Sequence, residues 1–211
     1  MPELHVVAGP NGIGKTSIFE DLVPAGIDYI NADSIAKTIR EKAGGLNVQD
    51  LANQEASLLF FQKVKEQKSF SIETNLCDVE TYKSFQGLQA TGYKIFVYFL
   101  AVDDVDVCIN RVKLRVSQGG HNVNPDVIKE RYAKGIALLR HYKDFPDSLI
   151  LLDNGKGYYT PQALLNKGVI QMKAEPMQSW ARSILERKTS SSKLDDVNSV
   201  DEIRRLYKKG K

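Results

Sequence analysis

The sequence predicts an α/β fold in which helices cover both faces of a mostly parallel, five-stranded central sheet. Short apolar runs alternate along the chain with segments whose apolar residues recur at helical spacing, and the first apolar run passes directly into a glycine-rich turn. Parallel strands need crossover connections, which are usually helices. The predicted strands cover residues 4–8, 28–30, 69–72, 93–101 and 148–153.

Helices are predicted between and after these strands. Asp103 or Asp104 can cap the helix that follows the fourth strand, because short polar side chains accept hydrogen bonds from the first helical N–H groups. Asn124 and Pro125 open the next helix, with proline at the first helical position. The predicted helices cover residues 16–22, 50–67, 78–89, about 103–118, 125–142 and 176–187, and a late strand-like patch at 168–172 can extend the sheet.

The composition predicts one globular domain. The chain has 211 residues, of which 42% are apolar and 26% charged, and its net charge is +3. It contains no run of 18 apolar residues and starts directly in a strand, so we expect a cytoplasmic protein with no membrane partner. Cys77 and Cys108 lie too far apart in sequence to predict a zinc site. We expect a single domain over residues 1–188 and a flexible or partner-dependent basic tail over residues 189–211, with no nucleic-acid partner.

The glycine-rich turn matches a phosphate-binding loop. Residues 9–16 follow the pattern G-x-x-x-x-G-K-[ST], in which glycines let backbone N–H groups turn towards phosphate oxygens. Lys15 is expected to contact the β- and γ-phosphates of ATP, and Thr16 to bind Mg²⁺. The predicted nucleotide-binding residues are Gly9, Pro10, Asn11, Gly12, Ile13, Gly14, Lys15, Thr16 and Ser17.

Acidic and polar residues follow the predicted strands, at the sheet edge where parallel α/β folds bind ligands. Asp33 is placed to accept a proton from an acceptor hydroxyl, or else only to cap the helix that starts at Ser34. Glu73, with Thr74 beside it, suits contact with a substrate hydroxyl or a Mg²⁺-bound water, the alternative being a solvated strand end. For Asp153 a turn is the better interpretation.

Basic residues gather in a predicted helical lid over residues 103–142. Arg111 and Arg115 are four positions apart on one helix, and Arg131 follows on the next, beyond a Gly119-Gly120 hinge. Arginine suits phosphoryl transfer because its planar fork donates several hydrogen bonds to the charge that develops on the γ-phosphoryl oxygens. A solvated charged face is the alternative for each arginine. His121, next to the hinge, is a candidate for orienting a substrate phosphate.

Four segments together resemble the zeta-toxin-like P-loop kinases, a group that includes proteins labelled predicted ABC-type ATPases. The resemblance covers about residues 3–155 and depends most on the glycine-histidine lid segment combined with the Glu-Thr pair. The segments are AGPNGIGKTS at 8–17, NAD at 31–33, SIETN at 71–75, and RVKLRVSQGGHNV from 111, followed by proline and VIKERY up to 132.

This resemblance implies a three-layer, nucleoside-kinase-like P-loop kinase fold. It also implies transfer of the ATP γ-phosphate to the 3′-hydroxyl of UDP-N-acetylglucosamine, and an antitoxin protein that blocks the ATP site. Carried over by motif, Lys15 and Thr16 bind phosphate and Mg²⁺, Asp33 is the base, Glu73 and Thr74 contact the sugar nucleotide, and Arg115 and Arg131 are the lid arginines, with Arg111 as a further member. Asn124 interrupts the usual valine-proline step of the lid, and Glu130 stands where a basic residue is common.

Two alternatives to a nucleotide-sugar kinase remain open. The acceptor can be another hydroxyl compound, such as a nucleoside, an antibiotic or an RNA end. The chain can also be an ATP-gated binding protein whose slow hydrolysis controls a partner through the tail at 189–211, which no kinase reaction requires.

Overall fold

A seven-stranded sheet forms the centre of the molecule, in the strand order β2-β3-β1-β4-β5-β6-β7. The structure is a computed structural model that describes residues 1–43 and 47–186, so the predicted tail at 189–211 lies outside the described residues. The strands are β1 (Glu3–Ala8), β2 (Asp28–Ile30), β3 (Phe70–Thr74), β4 (Lys94–Ala101), β5 (Ser148–Asp153), β6 (Thr160–Asn166) and β7 (Val169–Lys173).

The helices cover both faces of this sheet. They are α1 (Phe19–Leu22), which continues a short 3₁₀ turn at Thr16–Ile18, α2 (Ala32–Ala43), α3 (Val48–Lys65), α4 (Val79–Ala90), α5 (Asp106–Ser117), α6 (Pro125–Tyr142) and α7 (Ser179–Leu185). Among the helices of the described residues, none combines the length and the apolar character needed to cross a membrane.

The α/β fold class is confirmed, and the sheet has two more strands than the five predicted. The first five strands are all parallel, as expected, whereas β6 and β7 extend the sheet in antiparallel fashion. β7 corresponds to the strand-like patch at 168–172, but β6 was not predicted. Its second residue is Pro161, which cannot donate to a ladder, and the register with β5 shifts between Leu151 and Leu152.

A side chain caps the start of α6, whereas the N-cap residue of α5, Val105, has no side-chain capping bond. Asn124 accepts from the Asp126 N–H at 2.8 Å, with Pro125 first in α6 as predicted. For α5, the carboxylate of Asp104 accepts from the Asp106 N–H at 2.9 Å. Asp103, the other predicted cap, instead accepts from the backbone N–H groups at the start of α7, with 2.8 Å to Trp180.

Two apolar layers hold the helices on the sheet. One face of β1, with Leu4 and Val6, packs against α3, α4, α6 and α7, and Trp180 of α7 is buried there. On the other face, Val7 belongs to a cluster that includes Phe19 of α1 and Cys108 of α5. Because β1 is central and buried on both sides, the loop that follows it starts from a rigid support.

Candidate active site

The loop between β1 and the turn at Thr16–Ile18 follows a path that only glycine permits. Gly9 and Gly12 have φ angles of +142° and +79°. A Cβ atom on Gly9 would lie 2.2 Å from the carbonyl oxygen of Leu100, and one on Gly12 would lie 2.3 Å from that of Cys108. The loop therefore lies directly against β4 and α5, with no room for side chains at these two positions.

Lys15 is enclosed by this loop. Its Nζ donates to the carbonyl oxygens of Gly9 at 2.8 Å and Pro10 at 3.1 Å, and only 7% of the residue is exposed. Burial lowers the pKa of Lys15, while the nearby carboxylates of Glu73 and Asp33 oppose that shift. An ammonium held among carbonyl oxygens inside a phosphate-binding loop is ready to exchange them for phosphate oxygens.

Glu73 is the centre of a hydrogen-bond network at the carboxyl end of β3. Its Oε2 accepts from the hydroxyl groups of Thr16 and Tyr29, each at 2.8 Å, and from the Asn31 amide at 3.1 Å. Its Oε1 lies 3.9 Å from Lys15 Nζ. β3 pairs with β1 in a register that sets Glu73 opposite Val7, so strand pairing brings this carboxylate to the loop.

Tyr29 belongs to the same network and was not among the predicted site residues. The Asn31 amide also donates to its hydroxyl group, and its ring packs against Phe19 with 3.7 Å between centroids. Burial and the adjacent Glu73 carboxylate raise the pKa of Tyr29, so the phenol stays protonated and acts as a donor. The sequence feature that could have indicated Tyr29 as a site residue was its position in a short strand, two residues before the Asn-Ala-Asp motif.

Asp33 lies in the first turn of α2 and does not cap it. Asn31 is the cap, because its Oδ1 accepts from the N–H groups of Asp33 at 2.8 Å and Ser34 at 3.2 Å. The Asp33 carboxylate is exposed, and within the described residues no hydrogen bond holds it. The charge of Asp33 nevertheless opposes the lowering of the Lys15 pKa that burial causes. The capping alternative is therefore wrong for Asp33, whose carboxylate is left available beside the loop.

The three arginines of the predicted lid have different surroundings. Arg131 donates from Nη1 to Asn11 Oδ1 in the loop at 2.8 Å. Arg115 donates to the carbonyl oxygen of His121 at 2.8 Å, and its Nε is buried without a hydrogen-bond partner among the described residues. A Cβ on Gly120 would lie 2.5 Å from Arg115 Cγ, so the second hinge glycine makes room for this side chain. The imidazole of His121 is exposed.

Arg111 is on α5 of the predicted lid, and its side chain contacts backbone carbonyl groups of the phosphate loop and of the turn after β5. Its guanidinium donates to the carbonyl oxygens of Ile13 at 3.3 Å and Gly155 at 3.4 Å. The Ile13 carbonyl also accepts from Asn154 Nδ2 at 2.7 Å, and Asn154 is buried. Asn154 follows β5 directly, but nothing in the sequence indicated a bond to a loop 141 positions away.

Asp153 has the turn role expected for it. Its Oδ2 accepts from the Gly155 N–H at 3.1 Å, and its Oδ1 lies 3.4 Å from the indole nitrogen of Trp180. Cys77 and Cys108 are both free.

A cleft of about 440 Å³ opens between α3 and α4, next to Glu73. Glu73 and Thr74 line it from the strand end, and Thr74 Oγ1 accepts from the Leu76 N–H at 3.1 Å. Phe60, Phe61 and Ala56 line it from α3. α3 therefore provides one side of the cleft.

The residues at the loop fit a magnesium ion that arrives with ATP. Within residues 1–43 and 47–186, no cluster of three or more His, Cys, Asp or Glu side chains is arranged to hold a metal. Mg²⁺ needs no such cluster, because it typically takes one or two protein ligands together with substrate phosphates and water. Thr16 gives its hydroxyl hydrogen to Glu73, so its oxygen lone pairs remain available to a cation.

The geometry of the loop and the sheet is that of a P-loop kinase fold, and comparison with solved structures supports this fold. No family model matches the chain. An uncharacterized protein of Haemophilus influenzae is 27% identical over 124 residues, which cover 59% of this chain and 88% of that protein.

Among solved structures, the chain is similar to one in the AvrRxo1-ORF1:-ORF2 complex with ATP, with a TM-score of 0.62, 15% identity and coverage of 99% of this chain and 71% of that one. It is also similar to a chain of the PezAT chromosomal toxin-antitoxin system of Streptococcus pneumoniae, with a TM-score of 0.56, 16% identity and coverage of 99% and 85%. A chain of the Pnkp1/Rnl/Hen1 RNA repair complex gives a TM-score of 0.53 at 12% identity, covering 93% and 53%. The resemblance to zeta-toxin-like kinases is thereby confirmed at the level of the fold.

Proposed function

We propose that this protein transfers the γ-phosphate of ATP to a hydroxyl group of a small molecule bound in the cleft between α3 and α4. The observation that carries the proposal is the convergence of Lys15, Thr16 and Glu73 at the end of β1, beside a carboxylate, Asp33, that caps no helix. A phosphate loop alone indicates only nucleotide binding. Phosphoryl transfer to a hydroxyl group also requires a general base, and the free Asp33 carboxylate beside the open cleft provides one.

Each residue has a distinct role in this reaction. Asp33 accepts the proton of the acceptor hydroxyl, whose oxygen then forms the bond to the γ-phosphorus. Lys15 binds the β- and γ-phosphates, and Thr16 with Glu73 would hold Mg²⁺, which would neutralise the charge on the phosphate oxygens. Arg115 and Arg131 donate hydrogen bonds to the γ-phosphoryl group, where negative charge must be stabilised in the transition state.

The acceptor suggested by the resemblance is UDP-N-acetylglucosamine or a related nucleotide sugar. The similarity to the PezAT toxin-antitoxin system supports this choice and also suggests an antitoxin partner. The similarity to the RNA repair complex supports an RNA end as an alternative acceptor. A nucleoside or an antibiotic completes the set of hydroxyl compounds to be compared.

The proposal is tested by measuring ADP release from ATP and Mg²⁺ with each of these acceptors. We expect release to depend on one class of acceptor and to fall at least about a hundredfold in Asp33→Asn, since general-base catalysis typically contributes roughly 10² to 10⁴. Ser34→Ala, which changes the exposed neighbouring residue, is the matched control and should keep its activity. Absence of acceptor-dependent release with every compound, or full activity in Asp33→Asn, would contradict the proposal.

A further inference from the structure

The side chains that line the cleft between α3 and α4 are acidic, apolar or hydroxyl-bearing. Three carboxylates line it, those of Glu73, Asp78 and Glu80. Among the described residues that line the cleft there is no lysine, arginine or histidine. Phosphate groups that leave water need cations or several N–H donors, because an unpaired charge in a protein site is strongly unfavourable.

The N-terminus of α4, which borders the cleft, already carries an anion. A helix N-terminus is a common site for phosphate. Here Asp78 Oδ1 accepts from the Thr81 N–H and the Thr81 hydroxyl group, both at 2.8 Å, so a carboxylate takes the place that a phosphate would need. Glu80, in the first turn of α4, forms an exposed ion pair with Lys83 at 2.9 Å, and Lys83 is not among the residues lining the cleft.

The opposite wall is aromatic. Phe61 is 67% exposed, and its ring meets Phe60 edge to face with 5.8 Å between centroids. An exposed aromatic face beside a cleft can stack on a flat ring of a ligand. Thr81 and Ser84 add hydroxyl groups at the α4 side, which suit uncharged polar substituents.

We propose that the acceptor of this kinase carries no phosphate and is an uncharged or cationic hydroxyl compound, rather than a nucleoside diphosphate sugar. The inference rests on the proposed function and narrows its acceptor. In the transfer, the acceptor oxygen bonds to the γ-phosphorus, and its proton passes to Asp33. The bond between the γ-phosphorus and the β–γ bridging oxygen breaks, and ADP leaves with the electron pair. Glu73, whose Oε2 is held by three donors and whose Oε1 lies 3.9 Å from Lys15 Nζ, stands between the two substrates.

The test compares phosphate-free compounds with diphosphate compounds, with the ATP site saturated by a non-hydrolysable ATP analogue; uridine and UDP are the pair that differs only in phosphates. Binding of N-acetylglucosamine against UDP-N-acetylglucosamine, of uridine against UDP, and of a cationic aminoglycoside is measured by calorimetry, and turnover is then measured with ATP. We expect at least one phosphate-free compound to bind about tenfold or more tightly than any diphosphate compound, as anticipated when buried phosphates lack partners.

Two charge variants make the comparison specific to the cleft. Asp78→Asn removes a charge and keeps a good helix cap, and Glu80→Gln removes a charge with little change of shape. Both should strengthen binding of UDP-N-acetylglucosamine and weaken binding of the aminoglycoside, if that compound binds, whereas the exposed Glu20→Gln should change neither. Tighter binding of a diphosphate compound in the wild-type protein, or no binding of any phosphate-free compound, would overturn the inference. Because binding is measured without turnover, failure of the kinase proposal would appear separately, as binding without ADP release.

Discussion

Thr16 and Glu73 are 57 positions apart in the chain, and a hydrogen bond of 2.8 Å joins their side chains. Parallel pairing of β1 with β3 brings them together, because the two strands end side by side. The hydroxyl hydrogen points to the carboxylate, so the hydroxyl oxygen keeps its lone pairs for a cation. The direction of this one bond makes the loop suitable for Mg²⁺ as well as for phosphate.

Removing the Tyr29 hydroxyl group should weaken the response to magnesium. In Tyr29→Phe, Glu73 Oε2 loses one of its three donors and is less firmly held against Thr16. We expect the Mg²⁺ concentration for half-maximal binding of a fluorescent ATP analogue to rise several-fold, while binding without Mg²⁺ stays the same. The ring packing on Phe19 is kept. Tyr158→Phe, at an exposed tyrosine, is the control, and an unchanged magnesium response in Tyr29→Phe would show that Tyr29 does not position Glu73.

Loss of the Asn154 side chain should reduce the affinity for ATP. In a planar trans peptide the C=O of Ile13 and the N–H of Gly14 point in opposite directions. Asn154 and Arg111 hold the carbonyl on one side, so the N–H is directed to the other. Asn154→Ala should raise the dissociation constant of ATP about five- to tenfold, the range of one buried hydrogen bond of ~1 to 1.5 kcal/mol.

The double variant provides the control for this interpretation. If both side chains act through the Ile13 carbonyl, Asn154→Ala combined with Arg111→Ala should cost less than the sum of the two single changes. Strict additivity in calorimetric titrations would mean that the two residues act independently of that carbonyl.

Replacing Arg131 should lower turnover far more than it lowers ATP binding. The charge that Arg131 is proposed to meet develops in the transition state, so Arg131→Ala should reduce kcat by roughly 10³-fold or more while the ATP dissociation constant changes little. Asn11→Ala removes only the loop partner of Arg131 and should have a smaller effect on kcat. Equal losses in kcat and ATP affinity would indicate that Arg131 binds the ground-state phosphate alone.

Acidification should destabilise the protein through His5. The imidazole is stacked on Phe96, lies within hydrogen-bonding distance of Tyr98 and Glu3, and is buried. Burial lowers the pKa of His5, with Glu3 opposing the shift. The unfolded chain therefore takes up a proton near pH 6.5 that the folded chain does not, so this contribution to stability is complete above that pH and is lost as the pH falls below it.

Urea unfolding at pH 7.5 and 5.5 measures this effect. The free energy of unfolding should fall more in the wild-type protein than in His5→Gln across that interval. His141→Gln, at an exposed position, should behave like the wild type. An equal fall in His5→Gln would assign the pH dependence to other groups.

The elements near the phosphate loop were predictable because their signals are local. The loop motif, the first strand and the Asn124-Pro125 helix start each depend on a few consecutive residues, and β1 and α6 have the expected places. β6 was missed because Pro161 argues against a strand unless the pairing is interrupted, and the interruption, between the pairs Leu151–Ala163 and Leu152–Pro161, becomes visible only when β6 is paired with β5. Asn31 and Asn154 were not assigned their contacts for a similar reason, since each depends on which backbone groups the fold brings near.

The position of β1 has a consequence for synthesis of the chain. β1 lies in the middle of the sheet but is made before both of its partners, β3 and β4. β4 ends at Ala101. At translation rates of about 5 to 20 residues per second, the apolar segment before the loop waits for several seconds without its neighbours. The nascent protein therefore depends on remaining unaggregated during that interval. A product that terminates before β4 contains the complete loop motif but lacks one of the two strands that pair with β1 and support the loop.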